Sequence, residues 1–172
     1  MDKTQIAKDI RGAIKSDQLD TLRDLLEKEP EMLTVMTPFG TWLHIAAAYG
    51  RLEIIEYLIN AGIDINAQGG TFSANALERA AIKGHLDIAE YLINQNVEID
   101  TSEPDRNPLF AAIYGGHFEI VKLVVENNID ISIKYSGDNM KDMDAYAFAN
   151  ERGQTEIAEY LKGKLDQKGT SS

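Results

Sequence analysis

Histidine is the side chain best suited to proton transfer or metal binding near neutral pH, and this chain of 172 residues holds three: His44, His85 and His117. His85 and His117 occupy like positions in two segments of similar pattern, and His44 occupies a different one. Carboxylates are abundant, but Glu53, Asp87, Glu119 and Glu156 also recur at like positions. They read as charges at helix starts, where the helix dipole favours them. A catalytic acid/base pair needs a pocket that drives two pKa values apart, and nothing in the sequence implies one. Ser16, Ser73, Ser102, Ser132 and Ser136 have no histidine beside them in a nucleophile context. Gly115-Gly116 ends a helix and is no phosphate loop. With no cysteine, disulfides, thiol nucleophiles and thiolate metal sites are all absent. The expectation is a chain that is not an enzyme and holds no cofactor or metal.

At 44% hydrophobic and 26% charged residues, the chain has the composition of an ordinary folded domain. No apolar run approaches the roughly 18 residues that span a bilayer, and the start, MDKTQIAKDI, lacks the apolar core of a secretory signal. These features and the lack of cysteine fit a reducing compartment and point to the cytoplasm, although a periplasmic protein can also lack cysteine. A net charge of −11 repels nucleic-acid phosphates and acidic membrane surfaces, so neither is an expected partner.

A repeat organises the chain. Leu43, Leu77, Leu109 and Tyr146 are equivalent, as are Ala46, Ala80, Ala112 and Ala149. Gly50, Gly84, Gly116 and Gly153 follow at intervals of 34, 32 and 37. A period near 33 marks a stacked array whose units cannot bury their apolar faces alone. Thr41, Asn75, Asn107 and Asp144 precede the first helix of each unit and can cap its free amides. Pro108 takes the position where a missing N–H is harmless. The second helix shows apolar residues at i, i+1, i+4 and i+5: Ile54, Ile55, Leu58 and Ile59, then Ile120, Val121, Val124 and Val125. Gly62, Asn96 and Asn128 close it. Ile63-Asp64-Ile65 and its counterparts read as short extended segments leading into turns.

TWLHIAAAYGRLEIIEYLINAGIDIN, residues 41–66, resembles the ankyrin repeat, and residues 37–132 carry three good copies. The resemblance implies an all-α solenoid of paired antiparallel helices with hairpin-like loops. A single domain over 1–165 is expected: an N-terminal cap at about 4–36, units at 37–70, 71–103 and 104–135, and a C-terminal cap at 136–165. Residues 166–172 are expected to form a flexible tail. Asp17 stands where the first unit would have its turn glycine. Capped ends suggest a self-contained monomer. The linker 134–143, KYSGDNMKDM, is longer than its counterparts and is expected to be a loop on one face. In the family, residues placed like His85 and His117 stack about 10 Å apart, beyond the roughly 2 Å ligand distances of a shared metal. His44 is the motif histidine that braces loops. Glu78, Phe110 and Ala147 replace it elsewhere, so those loops need other bracing. Trp42, in place of the motif proline, is expected to be half-buried.

What the resemblance implies about function is protein binding through the concave groove and loop tips. Carried over by register, the groove residues are Ala48-Tyr49, Ile82-Lys83, Tyr114-Gly115 and Glu151-Arg152. The loop residues are Phe39, Phe72, Asp105 with Arg106, and Met143. Aromatics are the usual anchors of interfaces, and Phe39, Tyr49, Phe72, Tyr114 and Met143 stand at positions the core does not require; local packing against the next unit is the other reading. Tyr57, Tyr91 and Tyr160 share one outer position and read as packing. From Thr37 to Glu103 nine carboxylates face three cations, which gives −6 of the −11. The bland reading of this excess is solubility. The sharper one is steering toward a basic partner: an immunity protein or inhibitor that neutralises a basic effector, with Glu78 and Asp105 as groove charges. A general scaffold is the alternative, and an enzyme or small-ligand binder the remote one.

Overall fold

The computed structural model describes residues 2–171. Among these described residues ten helices run in antiparallel pairs. The first of each pair are α1 (Lys3–Lys15), α3 (Trp42–Tyr49), α5 (Ala76–Lys83), α7 (Pro108–Gly115) and α9 (Ala145–Glu151); the second are α2 (Leu19–Lys28), α4 (Leu52–Asn60), α6 (Leu86–Asn94), α8 (Phe118–Glu126) and α10 (Thr155–Gly169). A 3₁₀ turn spans Pro30–Thr34. The first helices pack on one another in an inner row, with the second helices behind them. This is the layering expected of an all-α ankyrin solenoid.

Burial follows from that layering. The inner helices are enclosed on most sides, so α3 buries Trp42 through Ala47 and α7 buries Pro108 through Ile113. Their alanines allow close approach: Ala46, Ala47, Ala80, Ala81 and Ala112 have no exposure. The outer helices bury one stripe each: Ile54, Ile55 and Leu58; Ile88, Ala89 and Leu92; Ile120, Val121 and Val124. Asn75 accepts from the amides of Leu77 and Glu78, Asn107 from Leu109, and Asp144 from Ala147, so three of the four expected caps close as such. Thr41 differs. Its amide donates to His44 Nδ1 at 3.1 Å, and its hydroxyl lies 2.9 Å from the same nitrogen.

Gly50 and Gly84 show why the turn residue is glycine. Both take left-handed φ, at +71° and +81°, and a Cβ on either would strike a histidine ring of the next unit. Those histidines bridge units: His85 Nε2 lies 3.2 Å from Ala48 O, and His117 Nε2 lies 3.2 Å from Ile82 O. Asp17 adopts the same left-handed turn at φ 58°.

Three features depart from the sequence reading. Trp42 is fully buried, not half-buried, because its indole N–H donates to Met32 O at 2.6 Å and ties the first unit to the second. The linker after the fourth unit is a hairpin, β1 (Tyr135–Gly137) paired antiparallel with β2 (Met140–Met143). Residues 166–169 continue α10 where the reading has a tail. Leu165 packs against the core there, and Gln and Lys are good helix formers. Ser172 lies outside the described residues.

Candidate functional site

The loops before α3 and α5 are built as small turns closed by the bridges Thr37↔Gly40 and Gly69↔Ala74. With the inner helices they line a groove along one face. Phe39, Tyr49, Phe72 and Tyr114 stand on it at 53%, 39%, 47% and 54% exposure. Three of the four rings carry a cation from an adjacent unit. Arg11 Cζ is 4.2 Å from the Phe39 ring centre, Arg152 Cζ is 4.1 Å from that of Tyr114, and Lys15 Nζ is 5.4 Å from that of Tyr49. Such contacts hold long side chains in place while leaving the outer ring surface free.

Two troughs divide the groove. The first, about 390 Å³, lies between α3 and α5, with Phe39, Tyr49, Arg79 and Lys83 among its walls. The second, about 260 Å³, lies between α5 and α7 and is walled by Phe72, Ile82, Asp105, Phe110 and Tyr114. The structure thus brings Phe39, Tyr49 and Lys83 together, and separately Phe72, Ile82, Asp105 and Tyr114. Arg106 braces a loop instead, donating from Nε to Phe72 O at 3.2 Å. Glu151 and Arg152 are exposed at the end of α9 and Met143 is half-buried; none of these three lines either trough.

Glu78 is the exception among the groove residues. It is 3% exposed, so its carboxylate is no surface charge. It occupies the motif-histidine position, which points inward, and its Oε2 lies 3.7 Å from Arg79 Nε with no hydrogen-bond partner. Burial pushes its pKa up; Arg79 opposes this and Asp105 adds to it. His44, one unit earlier, is 1% exposed. Because Nδ1 accepts from the Thr41 amide, the ring proton sits on Nε2, which donates to Ala74 O at 2.8 Å. Burial pushes this imidazole's pKa down, as does Arg79, against the Ala74 hydrogen bond. His44 is therefore a neutral brace between units.

Where Phe110 replaces that histidine, aromatic packing braces the loop. Phe110 stacks on Phe148 with ring centres 5.0 Å apart and meets Tyr135 edge-on at 5.0 Å. The Tyr135 hydroxyl donates to Thr101 O at 2.6 Å and accepts from Asn107 Nδ2 at 3.0 Å.

Sequence reasoning missed Arg11, Arg79, Phe110, Met140 and Phe148 as groove-wall residues. Arg11 stands one repeat before His44, so the register held the signal, but the weak first unit reads only as a cap. Arg79 was visible as the i−4 neighbour of Lys83, on one helical face.

Most exposed carboxylates lie elsewhere. Glu53, Asp87, Glu90, Glu119 and Glu126 are exposed on the outer helices α4, α6 and α8. Among the described residues no group of histidines and carboxylates is arranged to hold a metal, and no helix is long and apolar enough to cross a membrane.

No curated protein matches the chain. The family model for ankyrin repeats (3 copies) matches residues 10–103 and again 77–171. Ankyrin repeats are protein–protein interaction modules. Inner helices stacked in register, glycine-ended turns that admit the next unit's histidine, and this match over nearly the whole length agree: the chain belongs to the ankyrin-repeat family.

Proposed function

We propose that the chain binds a partner protein through its concave groove and loop tips, as a monomer in the cytoplasm and with no chemical step. The observation that carries this reading is the row of four exposed aromatics on one face, three of them held by cations. Large rigid rings with little to bury against in the free chain are what an interface uses as anchors. The test is affinity capture from the native source, repeated with Tyr49→Ala and Tyr114→Ala. The expected result is a captured protein lost by about tenfold or more in either variant, with melting nearly unchanged. Variants that unfold would make the tyrosines structural and misplace the site.

A narrower reading is an inhibitor or immunity protein for a basic effector, and its support is the net charge of −11. With Glu78 buried, the steering charge belongs to Asp105 and the outer-helix carboxylates. Co-expression with a toxic product of a neighbouring gene tests it: Asp105→Lys together with Glu90→Lys should abolish rescue. Undiminished rescue would leave the chain a scaffold.

A further inference from the structure

The two flanks of α5 differ in chemistry. Arg79 and Lys83 line the trough shared with α3, whereas Glu78 and Ile82 line the one shared with α7. The first trough gathers Arg11, Arg79 and Lys83 beside Phe39 and Tyr49, and among the described residues no carboxylate lines it. Among the described residues neither Arg11 nor Lys83 forms an ion pair. Arg79 has only the 3.7 Å approach of Glu78, whose side chain lines the other flank. Three cations are thus held together in a chain of net charge −11. Their mutual repulsion is concentrated in a concave wall that focuses the field, and a carboxylate seated among them relieves it. The cations are also positioned beforehand: Arg11 lies on the Phe39 ring, and the Arg79 guanidinium lies over Gly70, where a Cβ would meet its Nη2 at 2.6 Å. The second trough is largely apolar, with Phe72, Ile82, Tyr114 and Phe148 among its walls.

We infer that the occupant of this groove is an extended acidic segment of a partner protein, with a carboxylate among Arg11, Arg79 and Lys83 and a large apolar side chain three residues away beside Tyr114. The spacing follows from the fold. The troughs flank one helix, so they are about one interhelical distance apart, roughly 8–10 Å. Extended chain rises about 3.3 Å per residue and covers that in three. The inference rests on the groove being the binding face. It reverses the sign of charge that the inhibitor reading assigns to the partner at this place.

The test pans a phage library of random dodecapeptides on the full chain. Enriched peptides are then titrated by fluorescence anisotropy against wild type, Lys83→Glu, Arg11→Glu and Tyr114→Ala, with free glutamate and inorganic phosphate as competitors. Lys83 is exposed, so its reversal should leave folding intact. Enriched peptides should carry Asp or Glu three positions from a large apolar residue. Lys83→Glu and Arg11→Glu should each weaken them about fivefold or more, and added salt should weaken wild-type binding. Peptides that lose affinity with Tyr114→Ala but not with Lys83→Glu would overturn the acidic assignment and leave the groove reading standing. Peptides indifferent to all three variants would sink both. Displacement by phosphate alone would make the trough a small-anion site, and dimerisation abolished by Lys83→Glu would make the occupant a second copy; either overturns the peptide assignment.

Discussion

His44 and Glu78 stand at the same position of successive repeats and respond to burial in opposite directions. For His44, the unfolded imidazole takes its proton near 6.5 and the folded one resists it. The stability it contributes is complete above that pH and declines as pH falls through 6.5 toward the lower folded value. The urea midpoint of the wild type should therefore drop between pH 7.5 and 5.5 relative to His44→Ala. At pH 7.5 that variant should be less stable by about 3 kcal/mol, because the Thr41 amide and Ala74 carbonyl lose a buried partner. For Glu78 the sign is opposite. Its folded pKa is raised, so the folded chain holds a proton that the unfolded chain releases near 4.5. Stability is then fullest below that pH and falls as pH rises through the folded value. Glu78→Gln should accordingly gain on the wild type, in urea midpoint, as pH goes from 4 to 7. A constant difference across that range would mean the carboxyl titrates alike in both states.

At the scale of elements, each unit is held to the next by a specific bridge, and the bridges are not all alike. His44 ties the second unit to the loop of the third, while Phe110, Phe148 and Tyr135 do the same work around the hairpin. Tyr135→Phe keeps the ring packing and removes the hydroxyl shared by Thr101 O and Asn107 Nδ2. It should cost about 1–2 kcal/mol and speed amide exchange in the β1–β2 hairpin, leaving α3–α4 protected. Gly84→Ala puts a Cβ within 2.5 Å of the His117 ring at a φ of +81°. A loss of about 2 kcal/mol is expected, read as a lower denaturant midpoint. A neutral outcome would mean that the His117 bridge to Ile82 O bears little load.

Over the whole molecule, charge is unevenly spread. Glu53, Asp87, Glu90, Glu119 and Glu126 are exposed on α4, α6 and α8, whereas Arg11, Arg79 and Lys83 share one trough of the groove. Screening the outer self-repulsion should stabilise the fold. Raising sodium chloride from about 20 to 300 mM should lift Tm by about 3 °C, on the order of 1 kcal/mol for a chain of this size. The same salt should weaken any acidic ligand of the groove, so stability and binding should move in opposite directions. Parallel movement would mean that the groove cations take no part in binding.

The sequence by itself determined the repeat, the helix pairs, the caps at Asn75, Asn107 and Asp144 and the left-handed turns, because these depend on residues within one unit. It also put Tyr49 and Tyr114 on the groove side of the inner helices, since register settles which side of a helix is inward. For the loop residues Phe39 and Phe72 it left exposure and packing against the next unit both open. Only the tertiary structure decided how Trp42 and Glu78 are buried, that residues 135–143 form a hairpin, and that Arg11, Arg79 and Lys83 share one trough. The burial of Trp42 and Glu78 and the shared trough join side chains from two or three units, and their meeting depends on how the layers stack, which no single unit encodes. The hairpin is local in pairing, but its Tyr135 is fixed by Phe110 and Thr101 of earlier units.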